Sequence, residues 1–260
     1  MTEQLKALSS RQFIRYSRQI MLPSCGENGQ LKLLNAHAVI VGVGGLGQQA
    51  AQLLAAAGVG RLTLIDPDTI ALDNLPRQTL YRDSHIGQAK VLVAARKLRQ
   101  RYSDCQITPV IEPFGAESTQ HLPTADVILD CSDNFACRHA LSQATYRQRL
   151  PLVSAAIAAE KAWLAMFTAS DIEKFGCLHC VFPSDTQTQQ HCASMGVMGA
   201  AVATVASLQA QLALGYLYGQ SQPLNGQLLH VDFATLQFRP VQRSRDPQCD
   251  NCATSLRRCS

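Results

Sequence analysis

One stretch constrains this chain more than any other: His37-Ala38-Val39-Ile40-Val41 running directly into Gly42-Val43-Gly44-Gly45-Leu46-Gly47. The β-branched run reads as a buried strand, and the Ala/Leu-rich segment Gln48–Ala57 after the glycines reads as a helix. A second strand, Leu62–Ile65, ends at Asp66, 24 residues after Gly42. Strand, Gly-x-Gly-x-x-Gly, helix, strand and acid in this order form the fingerprint of a nucleotide-binding βαβ unit. The glycines let the backbone approach phosphates, and the helix N-terminus offers unpaired N–H groups and a positive dipole end. Asp66 is placed to accept hydrogen bonds from ribose hydroxyls.

The rest of the chain continues the alternation. Helices are expected at Ser10–Ile20, Glu27–Leu34, Gly87–Tyr102 and Phe135–Arg149, and strands at Ile107–Ile111, Val127–Leu129 and Leu152–Ala155. This predicts an α/β, Rossmann-like fold with a mostly parallel sheet. Strands at Trp163–Thr168 and Leu228–Phe238, around an apolar helix from about Val197 to Tyr218, extend it with a C-terminal antiparallel region. The expected division is 1–35 (N-terminal helices), 36–170 (nucleotide region) and 171–260 (C-terminal region), all in one structural domain. With 260 residues, 47% of them hydrophobic, the chain can bury a sizeable core, and 16% charged residues exclude a disordered or fibrous protein. A net charge of +4 without a dense Lys/Arg stretch argues against a nucleic-acid binder.

No Asp, Glu, Lys or Arg occurs between His191 and His230, which passes the length rule for a membrane span. Gln209, Gln211 and the many Ala and Gly residues instead favour a core helix, so no membrane is expected. The polar start, with Arg11, Arg15 and Arg18, lacks the apolar run of an export signal, which makes a reducing cytoplasm the default. Pro183–Gln190 reads as a mobile polar loop.

The nucleotide is either NAD, for hydride transfer, or ATP, for group transfer. Asn74-Leu75-Pro76-Arg77-Gln78 and Gly87-Gln88-Ala89-Lys90 favour ATP, because attack on an α-phosphate brings two anions together and needs fixed cations. Asp133, just past a strand end, offers carboxylate oxygens for Mg²⁺.

Cys177-x-x-Cys180 and Cys249-x-x-Cys252 form a four-thiolate set suited to closed tetrahedral zinc. Four protein ligands leave no open position, so the metal is structural and staples the C-terminal segment to the body. Cys192, between the polar loop and the apolar helix, is a candidate nucleophile. Cys25, Cys105, Cys131 and Cys137 read as packing residues, and Cys259 as a spare thiol.

These motifs, together with Arg15-Tyr16-Ser17-Arg18-Gln19-Ile20, Asp66-Pro67-Asp68 and Asp130-Cys131-Ser132-Asp133-Asn134, resemble the ThiF/MoeB/HesA family of adenylyltransferases over almost the whole chain. That family activates small ubiquitin-like sulfur carriers and is related to the ubiquitin-activating enzymes. The resemblance implies that Gly42, Gly44, Gly45 and Gly47 cradle the phosphates and that Asp66 binds ribose, with Asp68 near the nucleotide. Asn74, Arg77, Gln78 and Lys90 would contact the phosphates, and Asp133 would lie at the metal and reacting centre. Arg15 would reach the triphosphate of a neighbouring subunit, which implies a homodimer. The implied reaction is attack of a carrier's C-terminal Gly-Gly carboxylate on Mg-ATP, giving an acyl-adenylate and pyrophosphate. A sulfurtransferase would then supply sulfur, through Cys192 in the thiamine branch.

Gly176–Pro183 and His191-Cys192 look closer to the thiamine branch than to the molybdopterin branch. Ala158–Trp163 departs from the glycine-containing stretch of relatives, and Pro76 stands where Gln is usual. Other readings are a tRNA-modifying relative that adenylates a small-molecule carboxylate, a NAD-dependent oxidoreductase and a non-enzymatic zinc-stapled scaffold.

Overall fold

Strand β1 (His37–Val41) is central to the sheet because both of its faces are apolar. Ala38 and Ile40 enter one core, and Val39 and Val41 enter the other. The same split recurs on β4 (Val127–Asp130), with Val127 and Leu129 on one side and Ile128 on the other. The computed structural model describes residues 7–115, 122–183, 195–221 and 223–253.

Five strands run parallel in the order β3 (Gln106–Val110), β2 (Arg61–Ile65), β1, β4, β5 (Leu152–Ala158). Three antiparallel strands complete the sheet: β6 (Lys161–Phe167), β7 (Gln227–Asp232) and β8 (Gln237–Gln242). The expected parallel sheet with an antiparallel extension is therefore present. Chain order reverses between β1 and β4, and in open α/β sheets ligands bind in the crevice at such a switch point.

Helices cover both faces. α1 (Ser10–Ile20) opens with a reciprocal Ser9–Gln12 cap, and α2 (Gly26–Asn35) follows it. α3 (Gly45–Ala57), α4 (Lys90–Arg101) and α8 (Gly199–Tyr218) pack into the core that holds Ala38 and Ile40. α5 (Phe135–Gln148), α6 (Ala169–Phe175) and α7 (Leu178–Val181) pack into the other. α8 is long and apolar enough to span a membrane, yet it is a core helix here, as its glutamines suggested. Gln209 is fully buried, and its Nε2 donates to Asp130 O at 2.8 Å and Val153 O at 3.0 Å, joining the helix to two strand ends.

The structure corrects two boundaries. Leu228–Phe238 is two strands, because Asp232 Oδ1 accepts from the N–H groups of Ala234 and Thr235 and turns the chain. The helix expected from Gly87 starts at Lys90, after Gly87 (φ +82) closes a turn with Ile70. The mobile loop expected at Pro183–Gln190 falls, after Pro183, outside the described residues, as do Cys192 and Cys259.

Candidate functional site

At the C-terminal ends of the parallel strands lies a cleft of about 540 Å³. Its floor is the turn between β1 and α3. Gly42 has φ +87, and a Cβ there would lie 2.5 Å from Cys131 O. A Cβ on Gly47 would collide with the Gly42 carbonyl. Only glycine fits at either position, so the bare backbone of the turn faces the cleft.

Gly42, Gly44, Gly45, Asp66, Asp68, Asn74, Arg77, Gln78, Lys90 and Asp133 all line this cleft. Gly47 does not line it and instead packs the turn against its own first residue. Asp66 is buried. Its Oδ2 accepts from Val43 N at 2.6 Å, and its Oδ1 accepts from Asp68 N at 2.8 Å. Burial pushes the carboxyl up, opposed by Lys90 and by the two N–H donors. Asp66 therefore also holds the glycine turn in shape.

Lys90 is 7% exposed, and its Nζ lies 2.9 Å from Asp68 Oδ2 on the solvent side. Arg77 is fixed by donation from Nη1 to Asp73 O at 2.8 Å, and Asn74 Oδ1 accepts from Ala71 N. Gln78 is 3% exposed, and its Oε1 has no partner among the described residues. On the opposite wall Asp133 is exposed, and Asn134 Oδ1 caps α5 by accepting from Cys137 N at 2.9 Å. Arg77, Lys90 and a bare glycine turn thus share one cleft with the exposed Asp133 carboxylate, whose Oδ1 accepts only from the neighbouring Asn134 Nδ2, at 3.3 Å, among the described residues. Such an arrangement can hold a polyphosphate and its metal counter-ion.

Arg15 lies outside this cleft. Its Nε is 3.9 Å from Asp104 Oδ2, the same oxygen to which Tyr16 donates at 3.1 Å. Burial and Asp104 raise the Tyr16 hydroxyl to about 12, so it remains a donor.

Three features were not visible in the sequence. Beneath Asp133 lies a buried ion pair, Arg138 Nη1 to Asp130 Oδ2 at 3.2 Å. Arg138 also donates to Ala155 O at 2.9 Å, Ser154 Oγ at 3.2 Å and Ser132 O at 2.7 Å, and it lies 5.0 Å from the Trp163 ring centroid. Asp130 Oδ1 in turn accepts from Ser132 N and Oγ, so the pair fixes the loop that carries Asp133. Tyr81 Oη donates to Val43 O at 2.8 Å and pins the glycine turn from the other side. Acid at a strand end and Arg on the following first helical turn were the only signals for the pair; nothing marked Tyr81. Cys131 and Cys137 are more than packing residues, because they also line the cleft. Burial pushes the Cys137 thiol up to about 12 and raises Cys131 as well.

Cys177, Cys180, Cys249 and Cys252 form a second cluster, with all four sulfurs within 4.8 Å of one another. Cys177 Sγ lies 3.6 Å from Cys249 Sγ, and Cys180 Sγ 3.5 Å from Cys252 Sγ. Tetrahedral zinc with Zn–S bonds of about 2.3 Å needs sulfurs about 3.8 Å apart, so the donor set fits zinc. Asn251 Nδ2 is 3.5 Å from Cys177 Sγ, a supporting donor. Arg243 ties the same region to the body by donating to Gly176 O and Met166 O.

Residues 16–251 match the ThiF family. The chain is 39% identical over 247 residues to the molybdopterin-synthase adenylyltransferase of Escherichia coli, covering 94% of this chain and 98% of that protein. It is 35% identical over 249 residues to the sulfur carrier protein ThiS adenylyltransferase of Escherichia coli, covering 95% and 98%. Among solved structures, Escherichia coli MccB with ATP shares the fold at a TM-score of 0.81 and 24% identity, covering 92% of this chain and 74% of that one. On these grounds the chain belongs to the ThiF family and is a nucleotidyltransferase.

Proposed function

We propose that this enzyme uses ATP to adenylate the C-terminal carboxylate of a ubiquitin-like sulfur carrier protein and releases pyrophosphate. One observation carries the reading. Arg77, Lys90 and the glycine turn converge on a single cleft with Asp133 opposite, in a chain matching two carrier adenylyltransferases over nearly its whole length.

The carrier's carboxylate is already ionised at neutral pH, so its attack on the α-phosphate needs no general base. Its obstacle is repulsion between anions. Lys90 and Arg77 offset the phosphate charge and stabilise the charge that develops at phosphorus. Opening of the Lys90–Asp68 pair would free the ammonium for phosphate. The bare turn and Gln78 Nε2 supply N–H donors, and Asp66 and Asp68 are assigned to the ribose side. Mg²⁺, when bound, neutralises phosphate charge, and Asp133 is the residue that would hold it. Arg15 points away from its own cleft and is assigned to the cleft of a second copy, which makes the working unit a homodimer. Zinc at the four cysteines is structural. Cys192 is assigned to the later sulfur step, fed by a sulfurtransferase. The reduced thiols suit the cytoplasm.

The carrier of molybdopterin synthase is the preferred substrate, since the relative acting there is the more similar, at 39% against 35%. The thiamine-type carrier, expected from Gly176–Pro183, is the second reading. Carrier-dependent exchange of labelled pyrophosphate into ATP, run with both carriers side by side, tests both. Faster exchange with the molybdopterin carrier supports the first reading, and faster exchange with the thiamine carrier supports the second. Equal exchange without any carrier would sink both.

A further inference from the structure

A second recess, of about 830 Å³, shares no lining residue with the nucleotide cleft. It lies against the C-terminal half of α4, and Arg82, His85, Arg96, Lys97 and Arg101 line it. α4 is 12 residues long, about 18 Å, and Lys90 sits at its other end.

We propose that this recess is a second anion site, for a small ligand carrying two or more phosphate groups. Three observations support it. No carboxylate lines the recess among the described residues. None of its four cations has a carboxylate within ion-pair distance among the described residues, although Arg96 Nη2 donates to Gln88 Oε1 at 3.2 Å and Arg101 lies over the Tyr102 ring. His85 is 4% exposed, yet its Nδ1 has no partner among the described residues, and a buried polar nitrogen without a partner is costly.

Each observation bears on the ligand. Four cations without a carboxylate partner among the described residues exceed the charge of one phosphate and match that of a diphosphate or triphosphate. Guanidinium groups present paired N–H donors suited to phosphate oxygens. His85 and Ser84 also line the wall. A nucleic-acid backbone is a poorer match, because the charge is gathered in a recess and does not form a stripe. An acidic protein face is also a poorer match, because His85 is too enclosed to meet one.

The probe is inorganic pyrophosphate, added to the full chain without Mg²⁺ in the presence of a saturating non-hydrolysable ATP analogue. Calorimetry should count two anion equivalents per chain, analogue and pyrophosphate together. The variant Arg82→Gln/Arg96→Gln/Lys97→Gln should bind one, with pyrophosphate affinity at the lost site down at least tenfold and affinity for the analogue in the nucleotide cleft unchanged. Imidazole ¹⁵N resonances of His85 should move on pyrophosphate addition in the parent and not in the variant. The proposal rests on the recess alone: a chain that bound no analogue but one pyrophosphate, lost in the variant, would keep it while removing the adenylation reading. It is overturned if the parent binds the analogue in the nucleotide cleft and no second anion equivalent, or if a second equivalent survives the triple substitution. It is equally overturned if the variant weakens carrier-dependent exchange but removes no pyrophosphate, which would mark an acidic-protein docking face.

Discussion

Arg138→Met should test how the Asp133 loop is held. The substitution keeps much of the side-chain volume and removes the charge. It deletes the 3.2 Å pairing with Asp130 and the hydrogen bonds to Ala155 O, Ser154 Oγ and Ser132 O. Asp130, fully buried, keeps only its serine and backbone donors at Ser132 and Ser154. Stranding one member of a buried pair costs about 3–5 kcal/mol. At about 2–4 °C per kcal/mol for a domain of this size, the melting temperature should fall by roughly 10 °C. Adding Asp130→Asn removes the stranded charge, so the double variant should recover a substantial part of that loss. The assay is a double-mutant cycle by thermal melting and urea denaturation, with ATP–pyrophosphate exchange measured on each folded variant. Exchange should drop in Arg138→Met beyond what its folded fraction explains, because Ser132 and Asp133 lose their anchor. Strictly additive losses, or full exchange in Arg138→Met, would refute this account.

Three other expectations concern stability. Ala159 holds φ +52 in the two-residue turn between β5 and β6, so Ala159→Gly should stabilise the chain by about 0.5–1 kcal/mol, seen as a higher urea midpoint. Elemental analysis should give one zinc per chain. Chelation or Cys252→Ser should remove it and lower the melting temperature, and a zinc-free protein of unchanged stability would contradict the staple. Burial, reinforced by the His179 and Arg138 charges, holds the His139 imidazole below its usual range. The unfolded chain then takes up that proton first as pH falls through about 6.5, so stability should decline from pH 7 toward 5. His139→Gln should flatten that decline in urea titrations at successive pH values.

Local chemistry made much of the fold legible. Gly42 to Gly47 sit between an unmistakable strand and helix, and the alternation that follows admits few architectures. The four cysteines were readable because their spacing is itself a ligand geometry. Contacts that join distant segments leave no such local trace. The pairing of Arg138 with Asp130 was not legible because nothing local says that Ser154, Ala155 and Trp163 close over them. Leu228–Phe238 looked continuous because Asp232 acts through a turn hydrogen bond that periodicity does not register. The cations lining the second recess are scattered between Arg82 and Arg101, and only the fold of α4 against the preceding loop gathers them.

The most direct test of the adenylation reading is intact mass spectrometry of each carrier after incubation with enzyme and Mg-ATP, sulfur donor omitted. The account predicts one AMP added at the carrier's C-terminal carboxyl, absent with Lys90→Ala and absent from a carrier lacking its last glycine. No AMP on either carrier, or AMP on the shortened one, would contradict it.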